Sequence, residues 1–136
     1  MKRVFVDTGA LFAHLVAEDA HREAATSLLR QALADSWELV TTNAVVFETY
    51  TLLRKRARGG REVALAFLDD VQAEFCTVAR IQPEDEAQAI AILRAHDDKA
   101  YSFCDALSFA VMERLGLQEA IAFDRDFRSY GRFTLL

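Results

Sequence analysis

Four acidic residues of this chain stand where a carboxylate has little structural reason to be. Asp7 follows directly on the apolar run VFV, and Asp124 follows on AIAF. Glu48 lies in NAVVFETYTLLRK and Asp105 in SFCDALSFAVMERL, segments with apolar residues at helical spacing around the acid. A carboxylate in apolar surroundings is costly unless a cation or a metal pairs with it. No lysine or arginine occupies a helical neighbour position of Asp105. Taken singly, each acid has a plainer reading. Asp7 can cap a helix, Asp124 can hold a turn, Asp105 can sit in a helix first turn favoured by the dipole, and a distant cation can satisfy Glu48. Taken together they point to one shared ion, because clustered carboxylates repel one another and a divalent cation removes that penalty. All-oxygen ligation suits Mg2+ or Mn2+, one ion or two, better than zinc or copper. The spacing is not that of a calcium-binding EF-hand loop.

Other chemistries find less support. His14, His21 and His96 have no ligand spacing to one another or to a cysteine and read as surface or edge histidines. Ser102 and Ser108 lack a nucleophile-elbow context. There is no glycine-rich phosphate loop; Gly59-Gly60 reads as a helix stop. A phosphatase using Asp7 as nucleophile would want a second aspartate at position 9, which is glycine. Asp7-Thr8-Gly9 does not make an aspartic protease, because that half-site belongs to a β-rich lobe. Tyr101, Tyr130 and Phe127 read as packing residues before base-stacking ones.

The elements that position the acids alternate. Lys2–Val6 reads as a buried strand ending at Asp7. Helical spacing follows over Ala10–Val16 and Ala20–Leu33, then a strand over Trp37–Thr41. Asn43 can cap a helix that runs to Arg58, and Glu62–Phe75 reads as another helix. A strand over Thr77–Ile81 precedes Pro83, a favoured helix N1 residue, with Glu84, Asp85 and Glu86 in its first turn. Ser102 can cap a helix to Leu115 that stops at Gly116, and strands over Ala120–Phe123 and Arg132–Leu136 close the chain. The expectation is a three-layer α/β/α sandwich around a mostly parallel five-stranded sheet, one domain over residues 1–136. In a parallel sheet Asp7 and Asp124 leave at the same C-terminal edge, where ligands of open α/β sheets bind.

Composition agrees. The chain is 52% hydrophobic and 27% charged with a single proline, a globular profile. No apolar run approaches the roughly 20 residues of a membrane span. MKRVFVDTGALF reads as a strand and not as a signal peptide, and Cys76 and Cys104 suit neither a zinc site nor a disulfide framework. A reducing cytoplasm is the expected setting. The net charge of −5 argues against passive adhesion to nucleic acid or membrane. Arg54, Lys55, Arg56, Arg58 and Arg61 form a local exception, read either as a solvated helix end or as a phosphate-facing edge.

The ordered set DTGAL, NAVVFETY, SFCDALSFAVMERLG and AFDRDF resembles the PIN domain family, and within it the VapC toxins of prokaryotic toxin–antitoxin pairs, over Asp7 to Phe127. The resemblance implies metal-dependent endonucleolytic cleavage of RNA, with Asp7, Glu48, Asp105 and Asp124 as the acidic quartet. It adds Asp126 as a fifth candidate ligand, with Thr8 and Asn43 as supporting residues. Gly9 departs from the serine that relatives often carry. Arg54, Lys55 and Arg58 are then candidate RNA contacts, and a homodimer and a cognate antitoxin protein are the implied partners. The rival from another class is a catalytically silent RNA- or partner-binding module on the same fold.

Overall fold

The computed structural model describes residues 1–136. The chain runs β1 (Arg3–Val6), α1 (Thr8–Leu15), α2 (Arg22–Ala34), β2 (Glu38–Thr42), α3 (Asn43–Arg56) and α4 (Gly60–Gln72). It continues through β3 (Thr77–Ala79), α5 (Pro83–Ala95), α6 (Phe103–Leu115), β4 (Glu119–Ile121), α7 (Arg125–Tyr130) and β5 (Thr134–Leu135). The five strands form one sheet in the order β3-β2-β1-β4-β5, and every pairing is parallel.

Val4, Phe5 and Val6 of the central strand are fully buried, as a strand covered on both faces requires. Because crossovers between parallel strands are right-handed, α1 to α4, which lead toward β3, cover one face. Helices α5 and α6, which lead back across β1 to β4, cover the other. The strand order therefore reverses between β1 and β4, paired from Val4 opposite Glu119 to Val6 opposite Ile121. Asp7 extends this ladder by one bond, its N–H donating to the Ile121 carbonyl at 3.2 Å. No helix is long and apolar enough to cross a membrane.

Helix-to-helix packing on the α5–α6 side turns on an ion pair. Arg114 donates through Nε and Nη2 to the two carboxylate oxygens of Asp85, at 2.7 and 2.9 Å. Asp85 is the third residue of α5 and also accepts from the Gln82 N–H at 2.8 Å. Burial alone would raise the pKa of this side chain, but the Arg114 and Gln82 hydrogen bonds and the guanidinium charge outweigh it and hold the carboxyl below its usual range. In the core, Phe109 stacks on Tyr130 at 4.1 Å between centroids and meets Phe127 edge-on at 4.8 Å. Tyr101 packs edge-on against Phe109, so the three aromatics considered for base stacking are packing residues.

Several local expectations need correction. Thr42, not Asn43, caps α3, accepting from the Val45 N–H at 3.1 Å. Asn43 instead accepts from the Ile81 N–H at 2.9 Å and ties the start of α3 to the segment before α5. That bond takes Ile81 out of β3, which ends at Ala79. Helix α3 ends at Arg56, before the expected Arg58, and Gly59 with its left-handed φ of 65° caps α4. A Cβ at Gly60 would collide with the carbonyl oxygens of Leu53 and Arg54, so only glycine lets α4 start this close to α3. Helix α4 ends at Gln72 instead of Phe75, and Glu74 adopts a left-handed φ of 63° after it. Helix α7 was not foreseen: six residues are too few to show a period.

Candidate metal centre

Three carboxylates meet at the reversal point of the sheet. Oxygens of Asp7, Asp105 and Asp124 lie within 4.8 Å of one another. Asp7 comes from the end of β1, Asp124 from the loop after β4, and Asp105 from the first turn of α6. Their side chains are held by different devices. Asp7 occupies the N-cap position of α1, but its carboxylate makes no cap bond; its carbonyl accepts from the Ala10 and Leu11 N–H groups instead. Asp105 and Ser102 form a reciprocal box, with the Ser102 N–H donating to Asp105 Oδ2 at 3.1 Å and the Asp105 N–H donating to Ser102 Oγ at 3.0 Å. Asp124 caps α7 by accepting from the Asp126 N–H at 2.6 Å. The first-turn role expected of Asp105 holds and Asp124 caps a helix, whereas the side-chain cap expected of Asp7 is not made; all three still offer an oxygen to the cluster.

No lysine, arginine or histidine forms an ion pair with any of the three. Asp7 is 4% exposed, and its pKa is raised to about 8, by burial first and then by the charge of Asp105. Asp105 is raised to about 6, again by burial first, against the Ser102 hydrogen bonds and with Asp124 adding to the rise. Oxygen donors, a short separation and no cation from the chain fit a hard divalent ion. Among these donors nothing soft competes. The Cys104 thiol is pushed well above its usual pKa by burial and by Glu48, Asp7 and Asp105, which favours the protonated thiol beside them.

These acids floor a cleft of about 350 Å3. Glu48 lines it and adds to the rise at Asp7, but stands outside the tight three-carboxylate group. Asp126 is also outside that group, although its charge bears on Asp105. Thr8 lines the cleft with a buried hydroxyl that has no hydrogen-bond partner, whereas Asn43 does not line it. Arg54, Lys55 and Arg58 are exposed and do not line it either; from that basic stretch only Arg56 does. Residues 48, 52 and 56 are one helix face, and Leu52 and Arg56 share the lining with Glu48. Counting four residues on from Glu48, and four again, would have found Arg56. His21 and Phe123 complete one lip, and no sequence signal marked either. A second concavity, about 360 Å3, is apolar and carries one carboxylate, Asp70, so it offers no ion site.

Residues 4–132 match the PIN domain family. The chain is 42% identical over 96 residues to proteins named 23S rRNA-specific endonuclease VapC20 from two strains of Mycobacterium tuberculosis, covering 68% of this chain and 70% of theirs. It superposes on the crystal structure of Mycobacterium tuberculosis VapC20, described as a sarcin-ricin loop cleaving toxin, with a TM-score of 0.83 at 36% identity, over 95% of each chain. The fold also matches a VapBC2 structure from Rickettsia felis, bound to a promoter DNA fragment, with a TM-score of 0.71 at 11% identity over 98% of this chain and 97% of that one.

Proposed function

Because the chain belongs to the PIN domain family, we propose that it is a divalent-metal-dependent endoribonuclease of the cytoplasm, the toxin of a toxin–antitoxin pair. The observation that carries the reading is the Asp7–Asp105–Asp124 cluster, three carboxylates within 4.8 Å with no cation from the chain. Likeness to VapC20 over most of both chains supports RNA as the substrate. A silent binding module is disfavoured by the same cluster: keeping two raised carboxylates costs stability that only an ion recovers.

Asp7, Asp105 and Asp124 would hold Mg2+ or Mn2+, with Glu48 facing the same space. When bound, the ion supplies charge neutralisation at the scissile phosphate and acidifies a water for attack on phosphorus. The chain's own part is positional. The Ser102 box fixes the Asp105 rotamer, the α7 cap fixes Asp124, and the β1–β4 ladder fixes Asp7. Held this way, the carboxylates need no rearrangement as charge develops. Among the carboxylates, Asp124 would help orient the attacking water. Homodimerisation and a cognate antitoxin that covers the cleft complete the proposal.

Purified protein should cleave single-stranded or loop RNA with Mg2+ or Mn2+ and stop on adding EDTA. Absence of RNA cleavage with any divalent ion would overturn the reading. Coexpression with the product of a neighbouring short open reading frame should yield an inactive complex.

A further inference from the structure

The lip of the cleft carries an aromatic pair that the metal site does not need. The imidazole of His21 lies parallel to the Phe123 ring, 4.7 Å between centroids and 5° between planes. Phe123 is the residue before Asp124, so the pair adjoins the carboxylate cluster. The backbone of His21 is fixed on both sides. Its N–H donates to Asp19 Oδ1 at 2.8 Å, and its carbonyl accepts from the Ala25 N–H at 2.9 Å. His21 is exposed, and Phe123 is the one ring stacked on it, which leaves a second ring face for a base. From a different element, the C-terminal end of α3, Arg56 lines the same cleft, exposed and without an acidic partner.

An acidic cleft with one unpaired guanidinium and one open aromatic face matches a particular ligand: a nucleotide out of its stack, with its base on the ring and a phosphate at the cation. A duplex is a poorer match. Duplex binding draws on many phosphate contacts, and the chain has a net charge of −5 with a single arginine or lysine in the cleft. We propose that His21 on Phe123 is a stacking platform for an unpaired base next to the scissile phosphate, with Arg56 holding a neighbouring phosphate. The proposal rests on the ribonuclease reading and names its substrate class: RNA with an extruded or loop nucleotide at the cut.

The test uses the full chain with Mn2+ and an RNA hairpin carrying 2-aminopurine at successive loop positions, mixed in a stopped-flow fluorimeter. Stacking on His21 quenches the probe at one position before product appears. His21→Ala should remove that quench and raise KM roughly tenfold, within the range for losing one base–aromatic stack. Its kcat should stay within about twofold, whereas His21→Phe should keep the quench. Arg56→Ala should keep the quench and lower the slope of log affinity against log salt by about 0.7, one phosphate contact on a single strand. An unchanged quench and KM in His21→Ala, with wild-type cleavage intact, would overturn the platform alone. Equal competition by a fully paired duplex of the same sequence would also overturn it. No cleavage by the wild type would instead remove the ribonuclease reading, and the platform with it.

Discussion

Ser102 and Asp105 hold each other through two reciprocal hydrogen bonds at the start of α6, of 3.1 and 3.0 Å, so the motif that begins a helix also aims a carboxylate into the cleft. Replacing Ser102 by alanine should cost about 1 kcal/mol of stability, the usual value of an N-cap. It should also reduce cleavage roughly tenfold by loosening the first turn of α6 that carries Asp105, whose carboxylate keeps only the bond from the backbone N–H of residue 102. Ser102→Thr should restore both. Urea titration and initial rates on one RNA check the pair, and a stability loss with unchanged rates would confine Ser102 to the helix.

Asp7 gives a pH signature. Its pKa is about 8 in the folded chain against an ordinary 3.8. Between those values the unfolded chain has lost the proton and the folded one keeps it, so the native state binds more protons and stability falls as pH rises through this window. In EDTA, Asp7→Asn should therefore raise the melting temperature most at pH 8 and hardly at all near pH 4. The same variant should lose more than roughly 100-fold in cleavage, beyond what outer-shell changes cost. Differential scanning calorimetry at the two pH values is the check.

Divalent ions should oppose that decline. An ion that binds only the native cluster stabilises it by about 2.7 kcal/mol at a hundred times its dissociation constant. Titrating Mn2+ at pH 8 should raise the melting temperature progressively, and Asp105→Asn should flatten the response. A response equal in wild type and variant would place the ion elsewhere.

Arg114→Met should destabilise the fold by about 2 kcal/mol, between a buried pair and an exposed one, because Asp85 stays buried while Arg114 is one-third exposed. The folded fraction should cleave RNA at the wild-type rate, since α5 contributes nothing to the cleft. Asp85 has a lowered pKa, so its contribution is present above the ordinary carboxylate value and is lost as pH falls through the folded one. Acid titration should thus show a smaller penalty for the variant at low pH.

Gly60→Ala should lower stability by roughly 1–3 kcal/mol through the collision with the α3 carbonyls. Because α3 must yield, Arg56 should shift with it. A salt slope matching that of Arg56→Ala would show the displacement.

The acids were legible because each breaks a pattern: a carboxylate that ends an apolar strand, or sits inside an apolar helix, is costly to keep without a cation. The parallel sheet was legible from alternating segments, and it accounts for Asp7 and Asp124, 117 positions apart, sharing an edge. Arg56 was hidden in a run of like charges, where composition flags the stretch but not the face. Asn43 was misplaced by one residue because Thr42 and Asn43 are both good caps, and only the Ile81 contact separates their roles. His21 carried no signal, because its partner Phe123 lies about a hundred residues away and ring stacking has no sequence period.

Helices α5 and α6 begin alike, each with an aspartate at its third position accepting from the preceding cap N–H. At Asp85 the counter-charge is a guanidinium belonging to the chain, and the residue is locked, ionised and inert. At Asp105 the counter-charge is left to the surroundings, and the residue stays responsive to whatever cation arrives. The same architectural unit thus serves once as a rivet and once as a socket, and the difference between them is a single side chain.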